Sequence, residues 1–191
     1  MGDDVQPETE GTAVVTLSKK VCLLGDFAVG KTSLVRRFVY DLFDDKYVST
    51  IGVKVSRKTV ILTRDDAIVD LTMMLWDLAG GEEFARMRAS YLRGAAGALM
   101  VYDVSRPETL SSLHQYLRDL QSINGRCAVV LAANKADLLP GFTPGDRATY
   151  EAEARSVAKA LEAPLYFTSA TSGQAVQAAF NHLGQLLTGS S

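Results

Sequence analysis

An apolar run, Val21-Cys22-Leu23-Leu24, breaks into Gly25-Asp26-Phe27-Ala28-Val29-Gly30-Lys31-Thr32, and the helix-forming stretch Ser33-Leu34-Val35-Arg36-Arg37-Phe38-Val39 follows. The segment between the two fits G-x-x-x-x-G-K-[ST] at every fixed position and sits where a buried strand would turn into a helix. Glycines there let successive backbone N–H groups wrap phosphate oxygens, and the new helix turns the positive end of its dipole toward them. In that arrangement Lys31 reaches the β- and γ-phosphates and the Thr32 hydroxyl ligates Mg²⁺. Asp26 to Ser33 are therefore candidate phosphate-cradle residues: Asp26, Phe27, Ala28, Val29, Gly30, Lys31, Thr32 and Ser33. A plain strand-to-helix turn carrying a surface lysine is the alternative that the flanking pattern argues against.

Around this loop, strand-like and helix-like stretches alternate along the chain. Val14 to Leu24 reads as the first strand, with a helix to about Tyr40 after the loop. Val53 to Leu62 and Ile68 to Trp76 are strand-like runs joined through Thr63-Arg64-Asp65-Asp66, a hairpin pattern. A short helix is expected from about Glu83 to Arg93, and Gly97 to Val104 is a buried strand. Ser105-Arg106-Pro107-Glu108 has the form of a capping box with proline at the first helical position. Leu110, Leu113, Leu117 and Leu120 then recur on one helix face. Cys127 to Ala133 is the next strand, Leu138 to Gly145 a loop, Asp146 to Leu161 a helix, Pro164 to Thr168 a last strand, and Val176, Phe180, Leu183 and Leu187 mark a final helix. The alternation predicts a layered α/β fold of about six strands, mostly parallel with one antiparallel edge hairpin, and about five helices. Residues 1–12, with Asp3, Asp4, Glu8 and Glu10 uncompensated, read as a solvated acidic tail; 13–188 form one domain and 189–191 a short tail.

Charge and cysteine content restrict the ligand and the setting. With a net charge of -2, the chain carries no basic footprint for nucleic acid, so a phosphate-binding loop points to a free nucleotide. Cys22 and Cys127 lie inside apolar runs and read as small buried hydrophobes, as Met73, Met74 and Met100 read as gap-filling core. His114 and His182 lack metal-like spacing. The acidic N-terminus is unlike a signal peptide, Gln6 stands where a myristoylation site needs Ser or Thr, and the last residues offer no cysteine for prenylation, so the expectation is a cytoplasmic monomer without a direct lipid anchor.

Downstream, Thr50-Ile51-Gly52, Asp77-Leu78-Ala79-Gly80, Asn134-Lys135-Ala136-Asp137 and Ser169-Ala170-Thr171 follow the loop in order. A carboxylate at Asp137 can accept from guanine N1–H and its 2-amino group together, whereas adenine offers no matching donors; stranding it costs roughly 1–3 kcal/mol. GTP and GDP are thus favoured over ATP. This ordered set resembles the Ras-superfamily small GTPases, closest to the Rab and Rab-like branch, over about Leu17 to Leu187. The resemblance implies a Rossmann-like, three-layer P-loop NTPase fold. It implies that Thr50 and Asp77 join Thr32 at Mg²⁺, that Gly80 meets the γ-phosphate, and that Lys135 lies along the nucleotide, with Leu138 also counted among the nucleotide-binding residues. It further implies that Ala170 offers its N–H to the guanine oxygen, supported by Ser169. Phe43 matches an aromatic across the guanine edge, although a lone aromatic there could equally be core, and Tyr47 belongs to the same loop. Effectors, exchange factors and activating proteins would meet switch I, 43–52, and switch II, 77–93. Arg88, Ser90, Tyr91, Arg93, Gly94 and Trp76 follow the Rab pattern, with Val55 in place of a third surface aromatic; Trp76 could also be packing.

Three further positions depart from that family. Thr171 stands where lysine is usual, so one face of the base is held less firmly. Gly81 stands where a glutamine positions the attacking water, and misplacing a reacting group costs on the order of 10²-fold in rate. Phe27 occupies a position where small residues are usual and would crowd the γ-phosphate and an incoming arginine. Glu82 and Glu83 would repel the phosphate and Arg86 reads as helix surface. The expectation is a GTP/GDP switch with slow intrinsic hydrolysis, in which Lys31, Thr50, Gly80 and the Gly81 position carry the chemistry. The alternative is a hydrolysis-deficient, nucleotide-bound interaction module regulated by exchange or occupancy.

Overall fold

The computed structural model describes residues 13–44, 50–64, 67–80, 85–125 and 127–189. Ala13–Leu24 (β1) alternates its side chains across the sheet at its C-terminal end, Val21 and Leu23 on one face, Cys22 and Leu24 on the other, all buried. Such two-sided burial requires helices above and below, and the chain supplies them. Lys31–Tyr40 (α1) and Val176–Thr188 (α6) cover one face, where Phe38 and Phe180 stack at 4.1 Å between centroids and 8° between planes. Leu113–Asn124 (α4) and Pro144–Ala160 (α5) cover the other with Leu113, Tyr116, Leu120, Ala154 and Ala158.

Among the described residues six strands, numbered in chain order, form one sheet in the order β2-β3-β1-β4-β5-β6. Val53–Arg64 (β2) runs antiparallel to Ala67–Leu78 (β3), and every other pairing is parallel. Gly97–Asp103 (β4) is buried along its whole length, Ala128–Asn134 (β5) nearly so, and Leu165–Phe167 (β6) is short. Register decides the rest. Leu23 pairs with Asp77, Leu24 with Met100 and Asp103 with Asn134, so the strand ends that carry polar residues meet along one edge of the sheet. β1 lies between β3 and β4, the switch point where parallel α/β sheets open a crevice.

Several expectations change in detail. β2 and β3 extend to Arg64 and Leu78, and β1 pairs with β3 from Ala13 onward. Asp65 and Asp66, the expected hairpin turn, lie outside the described residues, as do residues 1–12, 190 and 191. Switch II helix α2 spans Ala85–Leu92. The capping box does not form: the Ser105 hydroxyl and N–H both donate to Asp103 Oδ1, at 2.6 and 2.9 Å, because that buried carboxylate is the stronger acceptor. The following helix breaks at Ser112 into the single turn Glu108–Ser111 (α3) and α4. The expected loop from Leu138 contains a 3₁₀ helix, Ala136–Gly141, and α5 begins at Pro144, capped by the Thr143 hydroxyl accepting from the Asp146 N–H at 3.2 Å. Met73 and Met100 are fully buried, but Met74 faces the other side of β3 and is half-buried. Among the described residues no helix is long and apolar enough to cross a membrane.

Candidate functional site

The loop between β1 and α1 is shaped by close approaches. Gly30 has φ 99°, and a Cβ there would overlap Asn134 Nδ2; a Cβ on Gly80 would come within 2.5 Å of the Phe27 nitrogen. The loop thus touches both the end of β5 and the chain after β3, contacts that a side chain would prevent. Lys31 is buried, its Nζ donating to the carbonyls of Gly25 at 2.7 Å and Asp26 at 2.8 Å. Burial lowers its pKa to about 8, against the pull of Asp77 and Asp26. A phosphate beside the ammonium would restore the charged form.

Three segments converge next to it. The Thr32 hydroxyl donates to Asp77 Oδ2 at 2.5 Å and lies 2.6 Å from Thr50 Oγ1, itself 3.5 Å from the same carboxylate oxygen. Asp77 is 1% exposed, and its other oxygen, Oδ1, has no hydrogen-bond partner among the described residues. Burial raises its pKa, and the Thr32 hydroxyl and Lys31 only partly offset this. One buried carboxylate with two hydroxyls suits a hard cation that takes oxygen ligands and completes its shell with phosphate or water. Among the described residues no cluster of three His, Cys, Asp or Glu side chains could hold a metal by itself, so a cation at this point would draw on the two hydroxyls as well as the carboxylate.

At the other end, Asn134 is buried, its Nδ2 donating to Val29 O at 2.9 Å and its Oδ1 accepting from Thr168 Oγ1 at 3.3 Å. It joins the phosphate loop to the 168–171 segment. Asp137 stays exposed at the mouth. Arg37 of α1 holds that segment from below, Nε to Ala170 O at 2.8 Å and Nη2 to Thr171 O at 2.6 Å, and Ser169 Oγ accepts from Ser172 N at 3.0 Å.

A cavity of about 390 Å³ runs between the two ends. Phe27, Ala28, Gly30, Lys31, Thr32, Ser33, Phe43, Thr50, Gly80, Asn134, Lys135, Asp137, Leu138, Ala170 and Thr171 all line it. Four expected residues do not. Val29 and Ser169 are buried behind the wall, Asp77 lies beneath Thr32, and the Asp26 carboxylate turns away to accept from Tyr116 Oη at 3.0 Å. Tyr47, Gly81, Glu82 and Glu83 lie outside the described residues. Sequence reasoning missed Arg37, Tyr116 and Asp103; a carboxylate closing the apolar β4, as Asp77 nearly closes β3, was the available signal for the last.

The family profile described as Ras family matches residues 20–188. This chain belongs to the Ras superfamily. Among relatives, it is 36% identical over 183 residues to Ras-related protein Rab-36 of Mus musculus, covering 95% of this chain. It is 39% identical over 152 residues to Ras-related protein Rab-22A of Mus musculus, 79% of this chain and 74% of the relative. To GTP-binding protein ypt5 of Schizosaccharomyces pombe it is 34% identical over 175 residues, 91% and 80%. The chain spans 66% of the length of the Rab-36 proteins.

Of the residues that follow the Rab pattern, Trp76, Tyr91 and Val55 lie close together. Trp76 and Tyr91, both half-buried, lie 6.4 Å apart between ring centroids, and Val55 pairs with Trp76 across the hairpin. Lys20 Nζ sits 3.7 Å from the Trp76 ring centroid and donates to Arg93 O. Arg88 is instead buried, bridged to Asp119 at 3.0 Å and stacked on Tyr116. Cys22 is sealed in the core, its thiol pushed up to about 12 by burial, which suits a packing role.

Proposed function

We propose that this protein is a cytoplasmic GTP/GDP switch that binds guanine nucleotide with Mg²⁺ in the 390 Å³ cavity and hydrolyses GTP slowly without help. The convergence of Thr32, Thr50 and Asp77 oxygens around an unpartnered buried carboxylate oxygen is the observation that supports this reading most. Thr50 arrives from switch I and Asp77 from the start of switch II, so one cation site couples both segments to the nucleotide's phosphates. When bound, Mg²⁺ neutralises charge on the phosphate oxygens.

The chain's own residues do the remainder. Lys31 supplies a positive charge under the phosphates, Gly80 keeps the chain close to Phe27, and Asp137, exposed beside the pinned Asn134, accepts from the guanine edge. Gly81 offers no side-chain amide to orient water. Phe27 is half exposed at the phosphate end of the cavity, which favours a second reading: a long-lived GTP-bound module governed by exchange. In either case effectors would meet the Trp76, Tyr91 and Val55 surface and the two switches, with exchange factors and activating proteins acting on the same segments.

Single-turnover hydrolysis of bound GTP, followed by chromatography, separates the two. Wild type is compared with Gly81→Gln and Phe27→Gly, with and without candidate activating proteins. The switch reading expects slow wild-type turnover that an activator or Gly81→Gln accelerates at least tenfold. Wild-type turnover equal to that of Gly81→Gln would show that the missing amide is not the defect. No turnover in any sample would favour the exchange-governed module.

A further inference from the structure

Beside the cavity lies a charged constellation whose centre, Asp103 and Arg106, none of these roles uses. Asp103 closes β4 and is 1% exposed, yet it accepts four hydrogen bonds. Its Oδ1 takes the Ser105 N–H and hydroxyl; its Oδ2 takes Lys135 Nζ at 2.7 Å and Arg106 Nε at 3.1 Å. Burial works to raise the Asp103 pKa, but Lys135, Ser105 and Arg106 together hold it below the usual carboxylate value. The other arm of Arg106, Nη2, donates to Phe27 O at 2.8 Å.

These bonds form a continuous strut. Phe27 belongs to the phosphate loop, and Lys135 follows Asn134 in the base-reading segment with φ 63°. One buried carboxylate therefore anchors both ends of the nucleotide pocket, the base end directly and the phosphate end through Arg106. The forked guanidinium reaches the carboxylate through Nε and the carbonyl through Nη2, donors held apart in one rigid plane, whereas an ammonium presents all its donors from a single atom. An exposed ion pair alone would contribute little. Here, although the Arg106 side chain is 35% exposed, its carboxylate partner is only 1% exposed and its second bond restrains backbone.

We propose that Arg106 is a positioning residue that ties the Phe27 carbonyl to Asp103 and so slows release of the bound nucleotide by holding the phosphate loop closed. The inference rests on the guanine-nucleotide reading above. Loss of the strut removes one tether from the loop at its phosphate end and leaves the Asp103–Lys135 bond in place, so its effect falls on ligands that the loop grips.

Release of N-methylanthraniloyl-GDP from the full chain, chased with unlabelled GDP in stopped flow, tests this with wild type, Arg106→Ala and Arg106→Lys. Affinity for GMP, which lacks the β-phosphate, is measured in parallel. Arg106→Ala is expected to release GDP about 5- to 10-fold faster, a charged hydrogen bond discounted for partial exposure. Arg106→Lys should recover less than half of that change on a logarithmic scale, and GMP affinity should stay within twofold. Release from Arg106→Ala within twofold of wild type overturns the proposal. A matching loss of GMP affinity also overturns it, because a general loosening of the fold then suffices. Full recovery by lysine removes the fork from the explanation. Failure of wild type to bind labelled GDP would instead sink the nucleotide reading itself, and the strut's role with it.

Discussion

Replacing Asp77 with asparagine should move stability in opposite directions with and without Mg²⁺. Asp77 is 1% exposed and its Oδ1 lacks a partner among the described residues, so in the absence of a cation the native state carries a buried charge that they satisfy only in part. Leaving such a group unsatisfied costs about 1–3 kcal/mol. Asp77→Asn removes the charge and keeps an oxygen for the Thr32 hydroxyl, so in chelator the variant should unfold no lower than wild type and up to about 3 kcal/mol above it. For a domain of this size each kcal/mol moves the midpoint by about 2–4 °C. With Mg²⁺ and GDP the order should reverse. A ligand at a hundredfold excess over its Kd stabilises by about 2.7 kcal/mol, and the Mg²⁺-dependent part of that gain needs the carboxylate. Calorimetric melts in chelator and in Mg²⁺ at fixed GDP supply both numbers. Destabilisation of Asp77→Asn by more than about 1 kcal/mol in chelator, or an undiminished Mg²⁺ increment, would refute the reasoning.

Three further outcomes follow from the packing and the charges. Native Lys31 gives up its proton near pH 8 while the unfolded chain holds its own to the ordinary 10.5, so the unfolded state binds more protons in that window and stability rises with pH there. Nucleotide-free wild type should therefore gain up to about 3 kcal/mol on Lys31→Met between those limits in urea titrations; parallel curves for the two would contradict it. Tyr116→Phe deletes the bond to Asp26 but keeps the ring beneath Arg88, and should cost about 1 kcal/mol in the same titrations. Phe180→Ala leaves a hole against Phe38 at a fully buried position, and denaturant unfolding should show a loss of about 3–5 kcal/mol.

What could be read from the chain alone was local or periodic. The phosphate loop was legible because its glycines, lysine and threonine occupy fixed spacings between an apolar strand and a helix. The sheet was legible because β4 and β5 are continuous apolar runs and the β2–β3 hairpin is not. Contacts set by register were hidden. Nothing near Asp103 in sequence announces Lys135; only the β4–β5 pairing brings Asp103 opposite Asn134 and so beside Lys135. Ser105 satisfied the local rule for a helix cap, yet a buried carboxylate two residues earlier took its donors. Asp26 sits inside the motif, but its carboxylate answers to Tyr116 of α4, a partner remote in sequence.

The nucleotide carried by the purified protein tests the central claim most directly. Protein isolated in Mg²⁺ is heat-denatured and the released small molecules are separated by chromatography and quantified against protein. The site described here, with Asp137 exposed beside a pinned Asn134 and three oxygens gathered at Thr32, predicts GDP or GTP at close to one per chain, lost on chelation of Mg²⁺. Adenine nucleotide in its place, or a chain that retains none and takes up none when GDP and Mg²⁺ are supplied, would contradict it.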